Sequence, residues 1–228
     1  MQTITDITIT VNLTTAVLSA ILSAYVIRLW YRQEHRLTTD LPLMFGITFM
    51  GQAVNNVLLA LPLMGLVDDS IIFFQIRALW IVTTIFPLLG VVINIWLPRY
   101  ERYHHRILGA LAAYWVAVVL LNSSETMIIR LHMPVIIALT IAMIVTFSIT
   151  WKTGRLQEIR SDLLVLTFAL GTVGQGIKAL FGLDSVVQIV TAIGTILITV
   201  ALVNPWYHRR LRSELHDTQS EELIGAYA

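Results

Sequence analysis

The chain has 228 residues, of which 57% are hydrophobic and only 13% charged, with a formal net charge of +1 and a mean hydropathy of +0.77. A soluble domain carries about 25% charged residues, so this composition excludes the ordinary soluble enzymes and binding modules and points to an integral membrane protein. Cys is absent, which removes disulfides, thiolate metal sites and cysteine nucleophiles together.

Apolar stretches between charged clusters predict an all-α, polytopic fold of seven transmembrane helices, each near the roughly 20 residues that a bilayer requires. They run Val11 to Leu29, Leu41 to Leu66, Ile71 to Leu97, Ile107 to Leu121, Leu131 to Ile149, Leu163 to Phe181 and Val186 to Val203. No basic residue precedes the first span and no small-residue cleavage pattern follows it, so it reads as a retained helix and not a signal peptide. Its Asn12, Thr15, Ser19 and Ser23 share one helical face, which either lines a pathway or lets helices approach closely. The second span carries Gln52, Asn55 and Asn56, three and four residues apart and hence on one face. The third opens with Gln75 and Arg77 and contains Pro87, which removes a helical hydrogen bond and predicts a kink. The fourth is the shortest and crosses if Arg106 snorkels. The sixth holds Gln175 and Lys178 with Gly171, Gly174 and Gly176, and the seventh begins near Gln188.

The basic residues fix an orientation. Arg28, Arg32 and Arg36, then Arg99, Arg102 and Arg106, then Lys152, Arg155 and Arg160, and finally Arg209, Arg210 and Arg212 fall in alternate connections. The positive-inside rule then places the N-terminus outside and the C-terminus in the cytoplasm. Four of the six Trp residues, Trp30, Trp96, Trp151 and Trp206, fall at the same inner ends, where the headgroup zone suits an indole. The plasma membrane is the expected residence.

The two ends of the chain share an order of landmarks. Trp30, Asp40 and Gly51-Gln52-Ala53-Val54 correspond to Trp151, Asp162 and Gly174-Gln175-Gly176-Ile177. Asp69-Ser70-Ile71-Ile72 corresponds to Asp184-Ser185-Val186-Val187, and Asn94-Ile95-Trp96 to Asn204-Pro205-Trp206. The expected organisation is a transmembrane domain over residues 1–204 and a cytoplasmic tail over 205–228. Within the domain, a first repeat covers about 8–98, a linker helix about 105–122 and a second repeat about 127–204. Both repeats start outside, which makes them parallel in a 3+1+3 order. Parallel repeats relate two bundles by an axis along the membrane normal, with solutes bound near their interface. In this topology the chain resembles SWEET-type sugar facilitators, and that resemblance implies passage of a small solute through the bundle. Arg77-Ala-Leu-Trp80 with Thr83, Thr84 and Pro87 is similar to the third helix of microbial rhodopsins and of seven-helix sensor modules that precede histidine kinases. The seventh span has no Lys for a retinal Schiff base, so no retinal and no other cofactor is expected.

Intramembrane polar residues face other helices or a cavity, since lipid offers them no partner. One reading of Gln52, Asn55, Asn56, Gln75, Arg77, Gln175, Lys178 and Gln188 is a ligand site in the outer half of the bundle, with Arg77 and Lys178 favouring an anionic solute. The other reading is that the amides join helices while Arg77 and Lys178 snorkel to Asp68, Asp69 or Asp184. No Asp or Glu lies well inside a span, so no catalytic residue is expected. His104 and His105 beside Arg102 and Arg106 suggest a solvated interfacial basic cluster and not a metal site, because adjacent residues point to different helix faces. The partners expected are the lipid bilayer and a small polar solute, with no nucleic acid. A solute-passing protein is the leading expectation. A sensor that reports to a cytoplasmic protein through the basic loops and tail, or an accessory subunit without a ligand, are the alternatives.

Overall fold

The computed structural model describes residues 2–33, 37, 40–154, 159–181 and 184–204, with the side chains of residues 2–4, 178–181 and 184–185 outside that description. Among the described residues there is no strand. The helices are α1 Gln2–Tyr31, α2 Leu41–Leu63, α3 Ile71–Trp80, α4 Val82–Trp96, α5 Glu101–Leu121, α6 Glu125–Thr153, α7 Ser161–Phe181 and α8 Asp184–Val203, with one 3-10 turn at Pro98–Tyr100. Among the described residues, six segments are long and apolar enough to cross a membrane: Thr5–Tyr31, Leu41–Leu63, Ile71–Trp96, Pro98–Leu121, Glu125–Thr153 and Val186–Val203. These make the chain an integral membrane protein. The sixth expected span lies in α7, whose described apolar run, Ser161–Ile177, is shorter than the others. The tail expected over residues 205–228 lies outside the described residues.

Local signals set the helix ends. Asp40 is the N-cap of α2 with Pro42 in its first turn, where a missing N–H costs nothing. Its carboxylate accepts the Leu37 N–H at 2.8 Å. Ser70 caps α3 by accepting the Phe73 N–H at 3.3 Å. Gly154 ends α6 with φ 63°, a left-handed turn that glycine adopts without Cβ strain. α1, α5 and α6 run several residues beyond the expected apolar spans, because helix geometry continues into polar and charged residues that extend past the hydrocarbon.

The third span does not break at Pro87, where the kink is expected. The helix is interrupted at Ile81 and not at Pro87. Pro87 lacks the N–H that would bond the Thr83 carbonyl, which loosens the turn above it. There the Thr83 hydroxyl donates to the Trp80 carbonyl at 2.8 Å, and the Trp80 indole leaves its own helix to donate to the Gly51 carbonyl of α2 at 3.1 Å.

The packing order is a ring. α1 lies against α2 and α8, α2 against α4, α4 against α6, α6 against α7, and α7 against α8. α5 sits outside the ring, against α3, α4 and α6. We call upper the end at which α1 and α3 start and α2 finishes, and lower the end that holds Tyr31, Leu41 and Trp96. The lower half is filled by Val26, Phe45, Phe49, Met143, Phe147, Leu164 and Ala201, all within 1% of full burial. Phe45 packs on Phe49, and Phe147 stacks on Phe168, each with ring centroids 6.2 Å apart. This is an apolar plug across the ring.

At the lower rim, Arg160 grips Asp162, with Nε donating to Oδ1 at 2.9 Å. That fork holds the Asp162 carboxyl below the usual carboxylate range. His104 differs from its expected place in a solvated cluster. It is buried, with Nδ1 and Nε2 each 2.8 Å from an oxygen, of Asn94 and Leu97 respectively, and so joins α5 to the end of α4. His105 is exposed.

Gly51 sits at a close helix crossing. A Cβ there would run into the hydroxyls of Thr83 and Thr84, and the Thr83 backbone would stand only 3.1 Å away. Gly51→Val should therefore destabilise the protein by about 1–3 kcal/mol, the usual range for an overpacked core. Gly109→Val, where a Cβ meets nothing, should be near neutral. Reversible unfolding in mixed micelles measures both, and equal stability of the two variants would contradict the crossing.

Candidate functional site

The polar residues converge on α1, α2 and α8 and on the upper end of α3. Each helix brings a stripe at helical spacing. On α1, Asn12, Thr15, Ser19 and Ser23 are all buried. On α2 the stripe is Thr48, Gln52, Asn55 and Asn56, and on α8 it is Gln188, Thr191, Thr195 and Thr199. The α8 hydroxyls satisfy themselves by donating to the carbonyl four residues back, Thr191 at 2.7 Å, Thr195 at 2.8 Å and Thr199 at 2.9 Å.

Cross-helix hydrogen bonds set the register. The Ser23 hydroxyl donates to the Gly46 carbonyl at 2.7 Å, and Thr48 to the Thr84 carbonyl at 3.2 Å. The Gln52 amide donates to the Thr195 hydroxyl at 3.1 Å. Because all helices rise by the same 1.5 Å per residue, equal steps from these ties reach equal depths. Ten residues on from Gly46 is Asn56, and eleven back from Ser23, one residue's rise further, is Asn12. Seven residues on from Thr48 is Asn55, and seven back from Thr84 is Arg77. Four back from Thr195 is Thr191. Asn12, Asn55, Asn56, Arg77 and Thr191 thus share one level in the upper half, contributed by α1, α2, α3 and α8.

The groups in this layer are incompletely satisfied. Asn12 Oδ1, Asn55 Oδ1 and Asn56 Nδ2 are buried atoms without a hydrogen-bond partner, and Ser19 Oγ and Thr84 Oγ1 below them are in the same condition. Asn12 and Asn56 are each only 2% exposed. Native proteins leave few such atoms, because each costs about 1–3 kcal/mol. Arg77 is half-buried, with its guanidinium carbon 5.1 Å from the centre of the Phe74 ring. Glu125 and Asp69 act on it electrostatically, yet among the described residues the one ion pair is that of Arg160 with Asp162. Its expected snorkelling to Asp68 or Asp69 therefore gives no close ion pair, and the Asp184 side chain lies outside the described residues.

The remaining expected site residues are scattered. Gln75 faces α5, where its amide donates to the carbonyls of Val119 at 2.9 Å and Asn122 at 3.1 Å, and so caps the end of that helix. Gln188 is half-buried near the start of α8, and Gln175 is exposed on α7. Gln52 and Gln175 therefore do not meet. The Lys178 side chain lies outside the described residues. Thr191 and Thr195 are not singled out in the sequence, and the Asn12 face reads there as lining a pathway or as packing. Their signals were present, a polar stripe at helical spacing on α1 and the Thr191, Thr195, Thr199 series on α8, but residue spacing within one helix says nothing of which neighbour it faces.

Near the same end, His132 is buried and stacks on Trp115, with centroids 3.7 Å apart and planes 16° from parallel. The Trp115 indole donates to the Ala78 carbonyl at 2.9 Å. These contacts lock α5 and α6 to α3 beside the layer. Among the described residues, no three His, Asp or Glu side chains lie together as metal ligands.

A ring of apolar helices around a polar layer defines, at this level, an integral membrane helical bundle. No family model, curated protein or solved structure matches the chain.

The Gln52–Thr195 bond ties α2 to α8 across the middle of the bundle. Polar contacts of this kind in membranes contribute about 0.6 kcal/mol on average and up to about 1.7. A double-mutant cycle on Gln52→Leu and Thr195→Val should give a coupling within that range. Strict additivity of the two changes would show that the bond contributes nothing.

Proposed function

We propose that this protein is a seven-span membrane protein that binds a small polar, preferably anionic, solute in the upper polar layer and passes it across the bilayer. In this reading the upper end faces outside, the N-terminus is external, and the basic lower rim and the C-terminus are cytoplasmic, as the alternation of charge requires. The observation that carries it is the layer itself. Unpartnered amide atoms of Asn12, Asn55 and Asn56 stand level with a half-buried Arg77 that has no ion pair among the described residues, immediately above an apolar plug.

The chemistry follows from the groups present. Arg77 and Asn56 Nδ2 offer donors to a carboxylate or other oxyanion, while Asn12 Oδ1 and Asn55 Oδ1 accept from its hydroxyl or N–H groups. Phe45, Phe49, Met143 and Phe147 close the path below. A buried polar site sealed from below is compatible with one of the states that alternating access requires.

The 3+1+3 reading draws support from the packing order. With α3 and α4 counted as one span, the ring runs through the first three spans, then the last three, and α5, the linker helix, is the one left outside. Gly51 and Gly174, matched by the landmarks, each stand close to the following span, for a Cβ at Gly51 would meet Thr83 and Thr84 of the third span and a Cβ at Gly174 would come within 3.3 Å of Val190 of α8.

A sensor is the second reading, favoured by the same plug, which closes the layer from below, and by the exposed Arg28, Arg99, Arg102 and Arg106, which offer a basic face to a cytoplasmic protein. One experiment separates the two. Proteoliposomes are tested for uptake of a panel of small carboxylates, sugars and amino acids, and the purified protein is tested for thermal stabilisation by the same panel. Passage predicts saturable uptake that Arg77→Gln lowers about tenfold or more for the anionic members, the loss expected when a charge-assisted contact of about 1.5–3 kcal/mol is removed. Stabilisation without uptake would select the sensor, and neither effect with any solute would overturn both.

A further inference from the structure

We propose that the seam between α1, α2 and α8 is a hydrated inlet, in which ordered water molecules descend from the polar layer to Ser19 in the middle of the membrane and stop there. Four observations converge on this site. First, Asn12 Oδ1, Ser19 Oγ and Asn56 Nδ2 are buried polar atoms without a protein partner, on side chains that are 2%, 0% and 2% exposed. Second, they lie on the facing stripes of two tightly packed helices, α1 and α2, with α8 closing the third side. Third, the seam is neutral, since neither α1 from Asn12 to Ser23, nor α2, nor α8 from Val186 to Val203 contains a charged residue. Fourth, the row of unpartnered atoms ends at Ser19. One turn lower the Ser23 hydroxyl is satisfied by the Gly46 carbonyl at 2.7 Å, beside fully buried Val26 and Phe45.

With no solute in the layer, water is the ligand that fits these atoms. An unpartnered acceptor, an unpartnered donor and a hydroxyl that can do both, spaced along a seam, suit a molecule that both donates and accepts, and buried waters bind to such otherwise unsatisfied groups with about three hydrogen bonds each. An ion is disfavoured by the lack of any charge along the walls. Small neutral hydrogen-bonding molecules are the class that would replace the water, whereas an anion is held at Arg77, above the inlet. The inlet rests on the burial and register of α1, α2 and α8 and not on solute binding at Arg77. Arg77→Gln therefore leaves it intact.

The natural absence of Cys makes the test clean. Full-length Ser19→Cys, Ser23→Cys and Val17→Cys proteins in nanodiscs are exposed to X-ray radiolysis, and thiol oxidation is followed by mass spectrometry. Val17 is 60% exposed on the outer surface of α1, where it meets lipid. Oxidation follows access to water-borne oxidant, so the Ser19→Cys thiol should react roughly tenfold faster than either comparison thiol. Equal rates at Ser19→Cys and Val17→Cys would overturn the inlet. Melting of Asn56→Leu supplies a second reading of sign. Removal of a hydrated amide lowers Tm, whereas removal of a dry, unpartnered one raises it, and a raised Tm likewise overturns the inlet.

Discussion

The bilayer core offers no hydrogen-bond partner, so every polar atom that this chain buries must be satisfied by another part of the bundle. α2 is where that requirement is met most often. Its Gly46 carbonyl takes the Ser23 hydroxyl of α1, its Gly51 carbonyl takes the Trp80 indole of α3, its Thr48 donates to Thr84 of α4, and its Gln52 donates to Thr195 of α8. No other helix is tied to so many others among the described residues. The close crossing at Gly51 is what lets Trp80 and Thr84 come near enough to make these bonds, and Trp80 is the last residue before the interruption of the third span at Ile81. Register, and with it the depth of every polar residue in the upper layer, follows from this helix.

Against that background the atoms left over acquire meaning. A chain that satisfies its α8 hydroxyls internally and gives Gln75, Trp96, Trp115 and His104 partners elsewhere leaves Asn12, Asn55, Asn56 and Ser19 incomplete in one region. The lower half shows the opposite. Phe45, Phe49, Met143 and Phe147 fill it without a gap in burial, and large apolar side chains of this kind contribute about 3–5 kcal/mol each against truncation of an aromatic to Ala. Stability is concentrated below and unmet hydrogen bonding above. In the proposed function, that asymmetry is what distinguishes the layer that takes an occupant from the layer that packs.

Much of the fold is written in hydropathy, because a 20-residue apolar run bounded by Arg and Trp has one economical conformation in a bilayer. α2, the third span and α8 follow their expected limits closely. What hydropathy does not encode is rotation about the helix axis. Gln52 and Gln175 occupy matched positions, yet one reaches the interior and bonds Thr195 while the other is exposed. Gln75 looked like a ligand residue and serves as a cap on α5, because the neighbouring helix exposes unsatisfied carbonyls at its end. Asn12 looked like a packing residue and stands in the polar layer, because α1 lies between α2 and α8. These are tertiary facts, set by which helix lies beside which.

The central claim of the proposed function is that the polar layer is reached from the outer side only and that the plug beneath it is sealed. Two single-cysteine variants, Asn55→Cys and Phe49→Cys, tested in sealed, oriented vesicles with a small charged thiol reagent added to one side at a time, address it directly. The account predicts that the Asn55→Cys thiol reacts from the outer side alone and the Phe49→Cys thiol from neither. Labelling of Asn55→Cys from the cytoplasmic side, or of Phe49→Cys as fast as Asn55→Cys, would contradict it.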